Sequence, residues 1–139
     1  MNWIGWALLS ALFAAATAVL AKVGVAHIDS NLATAIRTTV VVVFAWSIAL
    51  ALGKHGELRN VDGRAWLFLG LSGLGTGLSW LCYFRALQMG PASRVAPLDK
   101  LSVVLVMIFA VSFLGEKLTP LAVVGGLLIT AGAVVMALA

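Results

Sequence analysis

Residues 91–116 read PASRVAPLDKLSVVLVMIFAVSFLGE, and this stretch decides the fold. A helix from Pro91 to Gly115 is about 36 Å long at ~1.5 Å per residue, which exceeds the roughly 30 Å hydrocarbon core of a bilayer. Asp99 and Lys100 then lie about 12 Å inside the start of a transmembrane helix. A charge at that depth is costly unless it faces a bundle interior or a wet cavity. The rest of the chain is therefore predicted to form that interior.

The composition indicates an all-α integral membrane protein. Of the 139 residues, 63% are apolar and 10% are charged, whereas soluble domains are about half apolar and about a quarter charged. The net charge of +4 includes no long basic run, so nucleic-acid binding is not expected, and the basic excess is typical of membrane topology signals. The single cysteine, Cys82, excludes an internal disulfide. Because His27 and His55 stand alone, neither a metal site nor another cofactor is expected.

Apolar runs predict five transmembrane helices in a single domain covering residues 1–139. Asp29 and Thr119 are residue types that commonly cap the N-terminus of a helix. The polar segment at residues 53–64 is expected to be the longest connection. The predicted helices cover residues 3–23, 30–52, 65–89, 91–114 and 119–138.

Two of these helices contain residues that disturb regular helical structure. Pro97 is expected to kink the fourth helix, because proline lacks the backbone N–H of the helical ladder. Gly73 and Gly77 give the third helix a small-residue face suited to close packing. The glycines at positions 70, 73, 75 and 77 also weaken that helix, which allows a bend or an unwound turn.

The charges at membrane depth fall in one half of the bundle. We call the N-terminal side of the membrane side A and the opposite side, where the first helix ends, side B. Asp99 is the only carboxylate at depth, and it can exchange a proton or bind a cation; the basic residues near it can receive a carboxylate or a phosphate. The aromatic residues Trp80 and Tyr83 can line this site, or they can have only a packing role. The candidate substrate- or ion-binding residues are Arg37, Trp80, Tyr83, Arg85, Asp99, Lys100 and Ser102.

These charges also have a purely structural interpretation. Arg37, Asp99 and Lys100 can form a satisfied ion-pair network that only orients helices, although their depth favours a functional role. Long basic side chains near helix ends reach the interface at little cost. We therefore expect snorkelling for Lys22 and Arg94.

A specific motif pattern follows the third helix and continues into the last one. Its residues are Arg85-Ala86-Leu87, Gly90-Pro91-Ala92-Ser93, Val95-Ala96-Pro97-Leu98, Gly115-Glu116-Lys117-Leu118-Thr119-Pro120 and the segment from Gly125 to Gly132. In these residues the chain resembles a five-helix EamA-type domain of the drug/metabolite transporter superfamily. The resemblance covers the whole chain and is most specific over residues 83–132.

The resemblance implies an efflux transporter that passes several times through the cell (inner) membrane and carries a small-molecule substrate. Members of this family typically hold two such domains in inverted orientation and export amino acids and other metabolites. This chain carries one domain, with Asp99-Lys100 near where many members have a proline. It is therefore similar to the short single-domain branch.

A homodimer of two oppositely inserted protomers is the predicted working unit in the lipid bilayer. Five spans is an odd number, so joining two copies in sequence inverts the second copy, and the site of such transporters lies at the repeat interface. A single domain can rebuild that site only with an inverted twin. Side A holds four of the nine Lys and Arg residues, and side B holds three, or five when the deeper Arg37 and Lys100 are counted, which sets no strong orientation and permits dual topology. The alternative is a parallel dimer or a monomer with side A in the cytoplasm.

Two other classes of function were weighed against transport. A membrane enzyme is not expected, because the chain lacks a Gly-x-Ser-x-Gly elbow, a histidine within a helix and paired carboxylates at depth. A non-transporting assembly or structural subunit is the alternative, since a partner helix of opposite charge would also explain the buried charges.

Overall fold

A computed structural model describes residues 2–139 and shows helices joined by short connections. Five segments are long and apolar enough to cross a membrane, one of which, Ala92–Leu114, consists of two helices. This confirms the predicted all-α fold with five transmembrane spans. The helices are α1 (Trp3–Gly24), α2 (Ser30–Ala51), α3 (Gly63–Met89), α4 (Ala92–Asp99), α5 (Ser102–Leu114) and α6 (Pro120–Leu138), with a 3-10 helix at Lys54–Asn60.

Side-chain caps fix the beginnings of two spans. Asp29 Oδ1 accepts hydrogen bonds from the backbone N–H groups of Asn31 and Leu32, at 2.9 and 3.1 Å. The hydroxyl of Thr119 accepts one from the N–H of Ala122 at 3.2 Å. Each bond satisfies a donor that the first helical turn leaves without an intrahelical partner. Both predicted N-caps are confirmed.

The chain divides into two compact units. The first contains most of α1 together with α4, α5 and α6; the second contains α2, the 3-10 helix and most of α3. In the first unit α6 packs against both α4 and α5. In the second unit most of the buried side chains, among them Ala33, Thr34, Phe84 and Leu87, lie at the start of α2 and the end of α3. The candidate residues on α2 and α3 lie near this end, where Arg85 is exposed and Arg37, Trp80 and Tyr83 are partly buried.

The fourth span is interrupted, but not at the predicted place. The sequence predicts a kink at Pro97, whereas the chain stays helical through Pro97 to Asp99 and turns at Lys100 and Leu101. The N–H groups of these two turn residues each bond to the carbonyl three residues before them, at 3.0 Å, which is 3-10 spacing. Proline cannot donate the helical bond to the carbonyl four residues earlier and crowds that carbonyl. The tighter spacing continues into the first turn of α5, where the N–H groups of Val103 and Val104 also bond three residues back.

The glycine-rich part of α3 is continuous. The helix runs from Gly63 to Met89 without an unwound turn, because the backbone hydrogen bonds of a spanning segment must close locally. A β-carbon added to Gly73 or Gly77 would have no neighbour within 4 Å. The expected small-residue face therefore makes no close contact within residues 2–139.

Close packing occurs instead at Gly126 of α6, where we expect a larger residue to destabilise the fold. A β-carbon at this buried position would lie 3.1 Å from Met107 Sδ of α5, whereas one at Gly125 would meet nothing within 4 Å. Overpacking a close contact costs about 1–3 kcal/mol. Gly126→Val should lower the free energy of unfolding in detergent by this amount, and the control Gly125→Val should lower it less. Equal losses would contradict the packing of α5 on α6.

Candidate functional site

Arg37 of α2 lies over two aromatic rings of α3. Its guanidinium carbon is 4.2 Å from the centroid of the Trp80 ring and 5.3 Å from that of Phe84. Trp80 and Phe84 are four residues apart, so their side chains share one face of the helix. A cation over an aromatic ring is stabilised by about 0.5–1 kcal/mol at an exposed site and by about 2 kcal/mol when desolvated. The structure thus brings together two of the residues that the sequence singled out.

Phe84 is a part of this site that the sequence analysis missed. Its side chain is only 1% exposed, which makes it one of the most buried residues of the described chain. The Tyr83 ring is next to it, with 6.4 Å between the ring centroids. The four-residue spacing from Trp80 was the available signal, but an apolar residue in an apolar helix does not stand out by composition.

Arg85 is exposed and is held by a hydrogen-bonded glutamine near the end of α3. Arg85 Nη1 donates to Gln88 Oε1 at 3.3 Å. Gln88 Nε2 in turn donates to the backbone carbonyls of Val25 and Ile28, at 3.1 and 2.6 Å. Gln88 therefore links the α1–α2 connection to α3 and orients the arginine. Gln88 is not among the residues predicted from the sequence, although its position three residues after Arg85 places the two on neighbouring parts of the helix surface.

An open cleft of about 520 Å³ lies beside Arg85. One wall comes from the beginning of α2 and the residue that caps it, and the other comes from the last third of α3. The sequence indicates only a capping role for Asp29, and the structure adds its position in this cleft. The lining residues are Asp29, Ser30, Asn31, Leu81, Cys82 and Arg85.

Asp99 and Lys100 form an ion pair in the other unit. Lys100 Nζ is 3.4 Å from Asp99 Oδ2, and both side chains are exposed. Asp99 therefore pairs with a basic residue, as the ion-pair interpretation of these charges anticipates. Adjacent residues on a regular α-helix do not face each other, so the turn at Lys100 is what allows this pair. Ser102, the last of the candidate residues, begins α5 and is exposed.

Lys22 makes a specific bond rather than simply extending to the interface. Its Nζ donates to the backbone carbonyl of Gly90 at 2.8 Å, and the side chain is half-buried. Gly90 belongs to the short connection between α3 and α4. This bond links the end of α1 to that connection. The sequence predicts only that Lys22 snorkels to the interface, and not this bond.

Comparison with known proteins identifies the family. The model of the EamA-like transporter family matches residues 1–138. The chain belongs to the EamA-like transporter family. Together with the five apolar spans, this EamA membership makes the protein a multi-pass membrane transporter and points away from an enzyme.

One EamA relative is similar along almost its whole length. It is named "uncharacterized transporter in cobO 3'region" and comes from a Sinorhizobium species. The two proteins are 57% identical over 136 residues, which cover 98% of this chain and 96% of the relative. No solved structure matches the chain. The roles of the candidate site residues therefore stay predictions that rest on the geometry described above.

Proposed function

We propose that this EamA protein is a secondary transporter that exports a small metabolite, an amino acid or a related compound, across the inner membrane as an antiparallel homodimer. The observation that carries the choice of substrate is Arg37, a cation placed within a spanning helix and supported by the face of Trp80 at 4.2 Å. When a guanidinium stacks on a ring through its face, its N–H donors point outward along its edges. Those edges suit the two oxygens of a carboxylate.

The size of the relative supports the homodimer. Since this chain covers 96% of the Sinorhizobium transporter, that protein also has room for about one five-helix domain. In transporters with inverted repeats, the substrate site lies at the interface of the two repeats. A five-span protein supplies the second repeat by pairing with a copy of itself in the opposite orientation. The nearly even distribution of Lys and Arg supports insertion in both orientations.

The orientation can be measured with single cysteines in a Cys82→Ser background. Glu57 and His27 are exposed and lie in connections on opposite sides of the membrane. A membrane-impermeant thiol reagent added to intact cells should modify about half of the Glu57→Cys molecules and about half of the His27→Cys molecules, because each side faces outward in half of the protomers. Complete modification at one position with complete protection at the other would show a single orientation and refute the antiparallel dimer.

Export itself can be tested in liposomes that contain the purified protein. The lumen is loaded with an equimolar mixture of α-amino acids, and the loss of each is followed by mass spectrometry with and without an imposed proton gradient. We expect at least one amino acid to leave faster than from protein-free liposomes. If all leave at the protein-free rate, amino-acid export is refuted and the related metabolites are tested in the same format.

A further inference from the structure

We propose that the cleft at the start of α2 and the end of α3 is the entry site for the transported molecule, and that it binds a zwitterionic head group, with Arg85 on the carboxylate and Asp29 on the ammonium. This inference rests on the proposed export function and assigns a site to it. The cleft holds one positive and one negative side chain. In the part of the chain that the structure describes, Arg85 and Asp29 form no ion pair with each other or with another residue. Each charge is thus available to a ligand.

Arg85 is oriented for this task by Gln88. Because Gln88 Nε2 donates to two backbone carbonyls, its Oε1 must point the other way, and that oxygen accepts the bond from Arg85 Nη1. This contact uses one of the five N–H donors of the guanidinium. The remaining donors can form the paired hydrogen bonds that a carboxylate accepts from arginine.

One carboxylate oxygen of Asp29 already accepts hydrogen bonds, and the other can accept a bond from a ligand. Both bonds to the N–H groups of Asn31 and Leu32 go to Oδ1. The other oxygen, Oδ2, can accept from an ammonium group without disturbing the cap. The backbone N–H groups of Asn31 and Leu32, which an anion would seek, are already bound to the cap, so the carboxylate of the ligand is directed to Arg85 and not to the helix end.

The size and lining of the cleft fit the rest of a small zwitterion. A volume of about 520 Å³ lies within the range of small-molecule sites, which is roughly 300–1,000 Å³. Leu81 and Cys82 give it an apolar wall for a ligand side chain. A ligand with only one charge would engage only one of Asp29 and Arg85, so it should bind less tightly than a zwitterion, which engages both.

The position of the cleft makes it the first of two binding positions for the transported molecule. Arg85 is four residues, or about 6 Å, from the end of α3, whereas Arg37 is the eighth residue of α2, about 10 Å along that helix. A carboxylate released by Arg85 can therefore pass to Arg37 as the molecule moves deeper. Two arginines at different depths have separate roles under this assignment.

Cys82 offers a reporter inside the cleft, because it is exposed and is the only cysteine of the chain. In purified protein, a hydrophilic methanethiosulfonate reagent should modify it. An equimolar mixture of neutral α-amino acids at saturating concentration should slow that modification about tenfold, as expected for about nine-tenths occupancy. The amides of the same amino acids, which keep the ammonium and lose the carboxylate, should protect much less, and so should the corresponding acids without the amino group.

Two variants separate binding from folding. Asp29→Asn removes the charge and keeps a good N-cap, and it should abolish the preference for amino acids over the deaminated acids. Arg85→Gln should abolish the preference for amino acids over their amides. Each should raise the amino-acid concentration that halves the modification rate roughly 10- to 100-fold. Arg59→Gln, in the exposed 3-10 helix, is the control and should change neither preference.

Three results would overturn the assignment: an unreactive Cys82, modification that the amino-acid mixture does not slow, or both preferences retained in the two variants. Failure of this site and failure of the proposed function give different results. If liposomes export amino acids while the mixture leaves Cys82 unprotected, export stands and this site is wrong. If Cys82 is protected with the expected preferences but no amino acid is exported, the site stands and the proposed function is wrong.

Discussion

Asp99→Asn is expected to abolish transport while the protein still folds and inserts. Asp99 is the eighth residue of the span Ala92–Leu114, and the other four acidic residues of the chain lie in the connections between helices. Asparagine has nearly the same shape but carries no charge and exchanges no proton, so the variant loses the one acidic group at membrane depth. Losing a proton-transfer group typically lowers a rate by about 10²–10⁴. We expect a loss in this range for efflux from liposomes.

Two variants show whether that loss is specific. Asp62→Asn makes the same change in a connection, where Asp62 Oδ1 accepts from the N–H of Ala65 at 2.7 Å, a bond that asparagine can also accept. Its transport rate should be close to that of the unchanged protein. The double variant Asp99→Asn with Lys100→Gln removes both members of the ion pair, which relieves any unpaired charge. If the double variant recovers transport, or if Asp99→Asn alone is fully active, Asp99 has only a structural role.

Arg37→Gln is expected to weaken substrate binding roughly 10- to 100-fold, seen as a rise in KM for efflux. The reason is the loss of a charged hydrogen-bonding partner for a carboxylate, which contributes about 1.5–3 kcal/mol. The KM of Arg37→Lys should lie between those of the unchanged protein and Arg37→Gln, because lysine keeps the charge but lacks the planar, two-pronged arrangement of donors. Trp80→Phe should raise KM less than Arg37→Gln, since a smaller aromatic face still supports the cation.

The chain supplies a matched control for this experiment. Arg64 lies over the ring of Phe68, 5.8 Å from its centroid, near the beginning of α3. Arg64→Gln therefore removes another arginine from another aromatic ring on a spanning helix. Its KM should be unchanged. If Arg64→Gln raises KM as much as Arg37→Gln does, the effect comes from losing a stabilising contact and not from losing a binding group.

A structural feature of this protein can be predicted from the sequence when its cause lies within the same segment of the chain. The spans follow from apolar runs because a bilayer forces each segment to satisfy its own backbone bonds. The caps at Asp29 and Thr119 follow from residue type and position, and both are present. The pairing of Arg37 with Trp80 was only foreseeable as a shared depth, because the rotation of α2 relative to α3 depends on packing over the whole pair of helices.

Two other features, the turn after Pro97 and the cleft, could not be predicted from the sequence. Pro97 marks the fourth span as irregular, but the turn forms three residues later, where 3-10 bonds replace the helical ladder. The cleft required two segments that are about fifty residues apart in the chain to meet, and Asp29 had a sufficient local explanation as a cap. A residue with one evident role gives no sequence signal for a second.

The joint between α4 and α5 has a mechanical consequence. The spans α1, α2, α3 and α6 are uninterrupted, so bending any of them requires breaking helical hydrogen bonds, whereas at Lys100 and Leu101 the α-helical ladder is already replaced by a single tighter turn. The fourth span is therefore the easiest of the five to bend. Asp99 and Lys100 sit at the joint itself, and a bend there changes the separation of their charges.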